Sequence, residues 1–359
     1  MKKNFTNMTN REKIINEDLK FIKNNNFKKK FFHKKKILII GAEGFIGFYL
    51  KKYFIKFFNK LKLRNIYFAD LKYNKKKKIT KNIFDIKFDI TKDKIENIDS
   101  NFDIIIHAAT IASPYYYRKK PLLTADSNVI GIRKVLEYSK SKKSKVKILY
   151  FSTSEIYGDP DKKNIPTSED YRGNVTCVGP RACYDESKRY AETLCYIFAN
   201  YYKIPVIVVR PFNNYGPGLK VSDKRLPADL AKSIINKKNI QIFSNGSPTR
   251  SFCYIADAIS GFLNALSYPK YSVFNIGNDK EEVSVKQISL LYKKIAQSLL
   301  GYDTKILFKK NKDKNYLIDN PQRRCPDLTK TKKLLKYKPK IDLINGIKKY
   351  ILFLYNEKN

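Results

Sequence analysis

Six short apolar runs, ILII, NIYFAD, FDIKFDI, DIIIHAA, VKILYFS and IPVIVVR, fall between residues 37 and 210 of this chain. Between several of them lie segments of helical period, among them LLTADSNVIGIRKVLEYSK and YDESKRYAETLCYIFANYY. A strand that is apolar at consecutive positions has both faces buried, and such strands separated by helices build a parallel sheet covered on both sides. Right-handed crossovers then predict a doubly wound, Rossmann-type α/β fold. After about residue 211 the texture changes. Turn-rich pieces such as NNYGPG and SNGSPT appear, with helical patterns at about 226–237, 255–267, 284–299 and 342–355. They predict a smaller C-terminal α/β lobe closing over the carboxyl edge of the sheet.

With 359 residues and 43% hydrophobic content, the chain has enough apolar surface for a sizeable core. Its formal net charge of +40 resembles that of nucleic-acid binders. The lysines are spread along the whole chain rather than gathered on one element among stacking aromatics, which argues against nucleic acid as the partner. Dispersed positive charge still draws in small anions. The five cysteines form no CxxC pair and the two histidines are far apart in sequence, so no metal site is expected. His107, inside DIIIHAAT, reads as a hydrogen-bonded core residue rather than a catalyst. No apolar stretch of about 18 residues predicts a membrane span, and the start lacks the apolar block of a signal peptide. A cytoplasmic location is the expectation. Residues 1–35 form a basic extension in which Ile14, Ile15, Leu19 and Ile22 recur at helical spacing. They predict a short amphipathic helix, either packed on the main domain or part of a solvated leader.

Three motifs carry chemistry. In ILIIGAEGFIG, Gly41, Gly44 and Gly47 follow a strand and open a helix. Glycines there let the backbone approach a pyrophosphate at a helix N-terminus, where free N–H groups favour anions. Asp70 closes NIYFAD; a carboxylate at that point accepts from adenosine ribose hydroxyls and favours NAD over NADP. The lysines of LKYNKKKK, just beyond, either admit an extra phosphate or belong to a solvated loop. Tyr184 and Lys188 in RACYDESKRYAE stand at i, i+4 on one helix face. A nearby ammonium favours the phenolate, which predicts a general base.

GAEGFIG, HAAT, STSEIYG, YDESK, RPFNNYGPG and TRSFCYIADA occur in the order seen in extended short-chain dehydrogenases/reductases, the NAD-dependent nucleotide-sugar epimerase/dehydratase family. Within it, STSEIYGDP, SEDYRGNVTCVGPRACYDESKRYAETLCY and TRSFCYIADA are most similar to the UDP-glucuronate decarboxylase branch. The resemblance spans roughly residues 36 to 350. It implies residues 36–210 as an NAD-binding domain, residues 211–359 as mainly a substrate-binding lobe, and a homodimer built on the two long helices. It extends the cofactor-binding set to Phe45, Ile46, Asp89, Ile90, Ala108, Ala109, Thr110, Asn128 and Ser152. It implies a nucleotide-sugar enzyme that removes hydride from C4 of the sugar while Tyr184, beside Lys188, takes the 4-hydroxyl proton.

By the same resemblance, Thr153 hydrogen-bonds the 4-oxygen, and Ser154 and Glu155 face C5 and C6. A 4,6-dehydratase needs an acid to protonate a leaving 6-hydroxyl, and the alcohol of Ser154 is a poor one. A 4-epimerase tends to carry small or neutral residues here, unlike Glu155. UDP-glucuronate is therefore the expected substrate, with Glu155 repelling its carboxylate and steering the 4-keto sugar toward loss of CO₂. Arg250 is expected to bind the carboxylate or diphosphate, or to donate to C5. Asn213 is expected on the diphosphate, and Arg225 and Arg324 as cationic clamps. Phe243 stacks on uracil or belongs to the apolar core. Ser113 and Tyr117 fall in the expected substrate loop. The remaining alternatives are a UDP-sugar 4-epimerase or 4,6-dehydratase of the same family, and a reductase-fold protein that binds RNA or a partner through its charge.

Overall fold

The computed structural model describes residues 9–25, 28–99 and 101–358. Eight strands form one sheet: β1 (Lys36–Ile40), β2 (Asn65–Asp70), β3 (Lys77–Thr80), β4 (Ile83–Lys87), β5 (Ile104–His107), β6 (Lys147–Phe151), β7 (Val206–Pro211) and, much later in the chain, Ser272–Ile276. The spatial order is Ser272–Ile276, β7, β6, β5, β1, β2, β4, β3, and every pair is parallel except β3 with β4. The chain thus runs outward from β1 in one direction and returns at β5 to run outward in the other. A ligand crevice forms at the carboxyl ends of the two strands where the direction reverses, here β1 and β5.

Both faces of the sheet are buried, as the unbroken apolar runs require. Ile37 and Ile39 of β1 belong to one hydrophobic cluster, whereas Leu38 and Ile40 belong to another. Helix α1 (Asn10–Asn25) and helix α2 (Phe45–Phe57) lie on the first side. After α3 (Pro114–Lys119), the long helices α4 (Pro121–Ser141) and α5 (Ala182–Asn200) cover the second. The expected N-terminal helix is present and packed on the main domain, burying Ile14, Ile15, Leu19 and Ile22; residues 1–8 lie outside the described residues. The lysine run of LKYNKKKK, expected either to admit a phosphate or to form a solvated loop, supplies Lys77 and Lys78 to β3, a wholly exposed edge strand. Lysines suit that position because they discourage further strand pairing.

Beyond β7 the chain builds short strands: β8 (Asn214–Tyr215), β9 (Ile240–Ile242), β10 (Thr249–Ser251), β11 (Cys253–Tyr254), β12 (the Ser272–Ile276 strand of the main sheet), β13 (Glu282–Ser284), β14 (Ile306–Phe308) and β15 (Arg323–Arg324). Between them stand α6 (Leu226–Ile235), α7 (Ile255–Leu266), α8 (Val285–Leu300) and α9 (Thr329–Leu335), and α10 (Leu343–Lys358) ends the described chain. Strand β10 lies between β13 and β15, with Arg250 in register with Arg324. Helix α7 and strand β12 rejoin the central layer, so the second half of the chain is divided between the sheet and the lobe. Among the described residues no helix is long and apolar enough to cross a membrane, and no cluster of side chains suits a metal ion.

Candidate active site

At the end of β1 the backbone turns at Gly41, whose φ of +90° suits glycine. A Cβ there would lie 2.7 Å from the backbone nitrogen of Ala109, and one on Gly47 would lie 2.7 Å from the carbonyl carbon of Ala42. The glycines therefore bring β1, the start of α2 and the Ala108–Ala109 segment after β5 into direct backbone contact. Gly44 is the N-cap of α2 and Phe45 and Ile46 are its first residues, so unpaired backbone donors face the crevice. At the end of β2 the carboxylate of Asp70 accepts from the backbone N–H groups of Glu43 (2.9 Å) and Lys72 (3.0 Å), tying the glycine loop to the strand. Asp89 caps its own turn after β4, accepting from Thr91 N–H and Oγ1, and Ile90 beside it is buried. Thr110 donates to buried Asn128 at 2.7 Å, and Asn128 donates on to Ser187 at 2.9 Å, one residue before Lys188. Ser152 is buried with its hydroxyl unpartnered. This backbone cradle beside a free helix N-terminus fits a dinucleotide.

His107 is buried as expected, but neither ring nitrogen finds a hydrogen-bond partner of ordinary geometry. Burial, reinforced by Lys188, pushes its pKa down to about 3, so the ring is neutral.

Tyr184 stands in the first turn of α5, and Lys188 follows one turn on. Helix α5 buries Ala191, Leu194, Cys195 and Phe198 against the sheet, and this anchors Tyr184 and Lys188 above the carboxyl end of β6. Tyr184 is buried, hydrogen-bonds Thr153 and lies flat on Tyr117, with ring centroids 5.0 Å apart. The expected lowering of its pKa by Lys188 is corrected by the geometry. The ammonium donates to the Phe151 carbonyl at 2.6 Å and sits 5.9 Å from the Tyr184 ring centroid. Burial, reinforced by Glu155 and Asp185, raises the phenol above its usual value despite Thr153 and Arg225. Burial also pushes Lys188 down to about 7.

The largest departure from expectation surrounds Glu155. Thr153 caps the 3₁₀ turn Ser154–Tyr157 by accepting from the Glu155 N–H at 3.2 Å, which turns the carboxylate inward beside buried Ser154. There one oxygen is bonded by Arg181 and the other by Arg324. Burial would raise the carboxyl, but Arg324, Arg181 and Arg250 together hold it at about 2. Glu155 is thus ionised and neutralised, not the free negative charge that repulsion of a substrate carboxylate requires. Arg250 donates to the carbonyls of Thr249, Gln322 and Pro321 and to Asn320. Burial, reinforced by Arg324, pushes its pKa down to about 10 against the opposing pull of Glu155. Asp185 completes the cluster, its carboxylate 3.6 Å from the Nε of Arg181. Burial and neighbouring Glu155 raise it to about 7, against Arg181 and Arg324. Arg181 and Asp185 were not among the expected site residues, although both lie in the RACYDESK motif.

The other expected substrate residues converge only in part. Ser113 donates to the Asp223 carbonyl, and Arg225 pairs with the Asp223 carboxylate at 3.0 Å, so the loop before α3 meets the start of α6 near Tyr184. Asn213, at φ +40°, donates to the Ser251 carbonyl next to Arg250. Phe243 meets Tyr316 edge to face at 5.8 Å beside a cavity of about 520 Å³ also lined by Phe308 and Leu317. Its ring is therefore at a lobe surface rather than in the core.

The pattern of the family described as "NAD dependent epimerase/dehydratase family" matches residues 37–277. The chain is 33% identical over 324 residues to UDP-glucuronic acid decarboxylase 1 of Xenopus tropicalis, covering 90% of this chain and 73% of that one. It is 34% identical over 321 residues to UDP-glucuronic acid decarboxylase 6 of Arabidopsis thaliana, covering 89% and 88%. Among solved structures, UDP-glucose 4-epimerase of Thermotoga maritima with UDP-glucose superposes with a TM-score of 0.77 at 25% identity, covering 90% of this chain and 100% of that one. UDP-glucuronic acid 4-epimerase of Bacillus cereus, in complex with UDP-glucuronic acid and NAD, gives 0.74 at 25%, covering 90% and 99%. The glycine cradle, the Tyr184–Lys188 pair and the match over two-thirds of its length agree: the chain belongs to the NAD dependent epimerase/dehydratase family, and its cofactor is NAD.

Proposed function

We propose that this protein is a UDP-glucuronate decarboxylase, converting UDP-glucuronate to UDP-xylose and CO₂. The observation that carries the reading is the cluster beside Tyr184, in which Arg181, Arg324 and Arg250 outnumber Glu155 in charge. Guanidinium groups match the planar geometry of a carboxylate, and a surplus of them in a buried site suits a sugar that carries one. The curated relatives bear that activity in their names.

NAD supplies a hydride acceptor for C4 and later the hydride donor. Tyr184, hydrogen-bonded to Thr153, takes the 4-hydroxyl proton, and Lys188 supports it from the next turn. Gly41, Gly44, Phe45, Ile46 and Gly47 hold the pyrophosphate; Asp70 holds the adenosine ribose. Asp89, Ile90, Ala108, Ala109, Thr110, Asn128 and Ser152 line the remaining cofactor path. Once C4 is a ketone, the sugar is a β-keto acid and loses its carboxylate readily. Glu155 acts by organising the arginines that hold this carboxylate, not by repelling it. Arg250 stands closest in role to a donor for C5. Ser113, Tyr117, Asn213 and Arg225 hold the sugar diphosphate, and Phe243 the uracil.

Incubation of the NAD-loaded protein with UDP-glucuronate is expected to release CO₂ and UDP-xylose with no net NADH. Recovery of UDP-galacturonate alone would replace this reading with a 4-epimerase, which the superposed epimerases favour. Position 154, where a 4,6-dehydratase would carry its acid, holds the Ser154 alcohol.

A further inference from the structure

We propose that Asp185, acting through Arg181, sets how strongly this site prefers an acidic sugar. It competes with Glu155 for one guanidinium and so decides how much positive charge the cluster presents to a carboxylate. The proposal rests on the acidic-sugar reading above.

Arg181 is the N-cap residue of α5 and is 5% exposed, as is Asp185. One guanidinium nitrogen of Arg181 bonds Glu155. Its Nε faces Asp185 at 3.6 Å, too far for a hydrogen bond, and Nε finds no other partner. Oδ1 of Asp185 is buried and also unpartnered. Buried donors and acceptors are almost always paired. The long contact from Nε to Oδ2 of Asp185, beside the closer bond from the same guanidinium to Glu155, marks a guanidinium drawn toward Glu155. The charged groups facing Asp185 are Arg181 on its own helix, Glu155 from the turn after β6 and Arg324 from β15. Tyr117 from α3, with Tyr184 and Cys183 beside it on α5, are its neutral titratable neighbours.

The sign follows from charge. Protonated, Asp185 leaves the three arginines with Glu155 as their counter-charge; ionised, it adds a second. Its carboxyl is held up near 7, so acid favours the more positive cluster and base the less positive one. The sugar carboxylate, with an ordinary pKa of about 4, stays ionised across this range and cannot itself supply a pH dependence. Lys188 is also pushed down to about 7 by burial, and the Asp185→Asn variant separates its contribution from that of Asp185.

The test measures calorimetric affinity for UDP-glucuronate and for UDP-glucose, using NAD-loaded Tyr184→Phe protein so that neither sugar is consumed. The preference for UDP-glucuronate is expected to fall roughly fivefold or more from about pH 6 to about pH 8.5. Its binding near neutrality is expected to take up more protons than that of UDP-glucose. Adding Asp185→Asn is expected to flatten the preference at its acid value and abolish the excess proton uptake. A double variant whose preference follows pH like its parent overturns the inference. A parent whose preference is already flat with pH overturns it without any second substitution. A parent that never prefers UDP-glucuronate would instead remove the acidic-sugar reading beneath it.

Discussion

Tyr184 lies flat against Tyr117 with its hydroxyl out of bulk water, so its acidity depends on charges within a few ångströms. Glu155 belongs to a different step of the proposed reaction, and the two side chains can be separated experimentally. Tyr184→Phe is expected to lower C4 oxidation, and with it all turnover, by roughly 10²–10⁴-fold while NAD stays bound. Glu155→Gln is expected to retain oxidation but slow CO₂ release by about 10²-fold. Transient NADH absorbance followed beside CO₂ release reads both. Equal loss of the two signals in Glu155→Gln would mean that Glu155 does no more than hold the site together. That Tyr184 and Lys188 share one face of α5 could be anticipated from their i, i+4 spacing, whereas the commitment of the Lys188 ammonium to the Phe151 carbonyl could not. The meeting of Arg181 and Arg324 at Glu155 could not be anticipated either, because they arrive from the N-cap of α5 and from β15, and only the fold sets them beside residue 155. Arg181 and Asp185 were within reach of a local reading, since i, i+4 spacing places them together at the start of α5.

At the scale of elements, periodicity located α4, α5, α6, α8 and α10 to within a few residues because each alternates a buried and a more exposed face, and α7, buried on all sides, was located equally closely. It gave no sign that β12 returns to the central sheet, since strand order depends on pairing between distant segments. Helix α1 shows another blind spot. Its apolar rhythm was plain, yet the centre of that face is a carboxylate. Asp18 is fully buried and accepts from Tyr49 of α2 and from Tyr254 just before α7, each at 2.7 Å, and from Lys349 of α10 at 3.1 Å. One side chain thus joins the N-terminal helix to the helix behind the glycine cradle and, from the far half of the chain, to β11 and α10. Asp18→Ala removes the shared acceptor of two buried hydroxyls and leaves the Lys349 ammonium with Glu17 alone, an expected loss of roughly 3 kcal/mol in stability. Denaturant titration checks this against the wild type, and a change below about 0.5 kcal/mol would show that the clamp contributes little.

For the whole molecule, the outer surface of the α4–α5 pair remains to be accounted for. Their inner faces fill the second core, yet Leu123 and Ile130, one heptad apart on α4, are 37% and 40% exposed, and Tyr190 on α5 is 50% exposed. A chain with a net charge of +40 repels its own copies at long range, so association needs a local apolar surface to overcome that repulsion. Two adjacent helices that present such side chains side by side offer a self-complementary patch suited to a two-fold axis, giving a four-helix contact between copies. The protein is expected to sediment at twice its chain mass, with the dimer strengthening as salt screens the lysines. Ile130→Glu combined with Tyr190→Glu places four carboxylates in the contact and is expected to yield monomers that still bind NAD, because the cradle after β1 lies wholly within one chain. A wild-type protein that sediments as a monomer at high protein concentration and high salt would show that these helices do not pair, and the exposed aliphatic residues would then be ordinary surface.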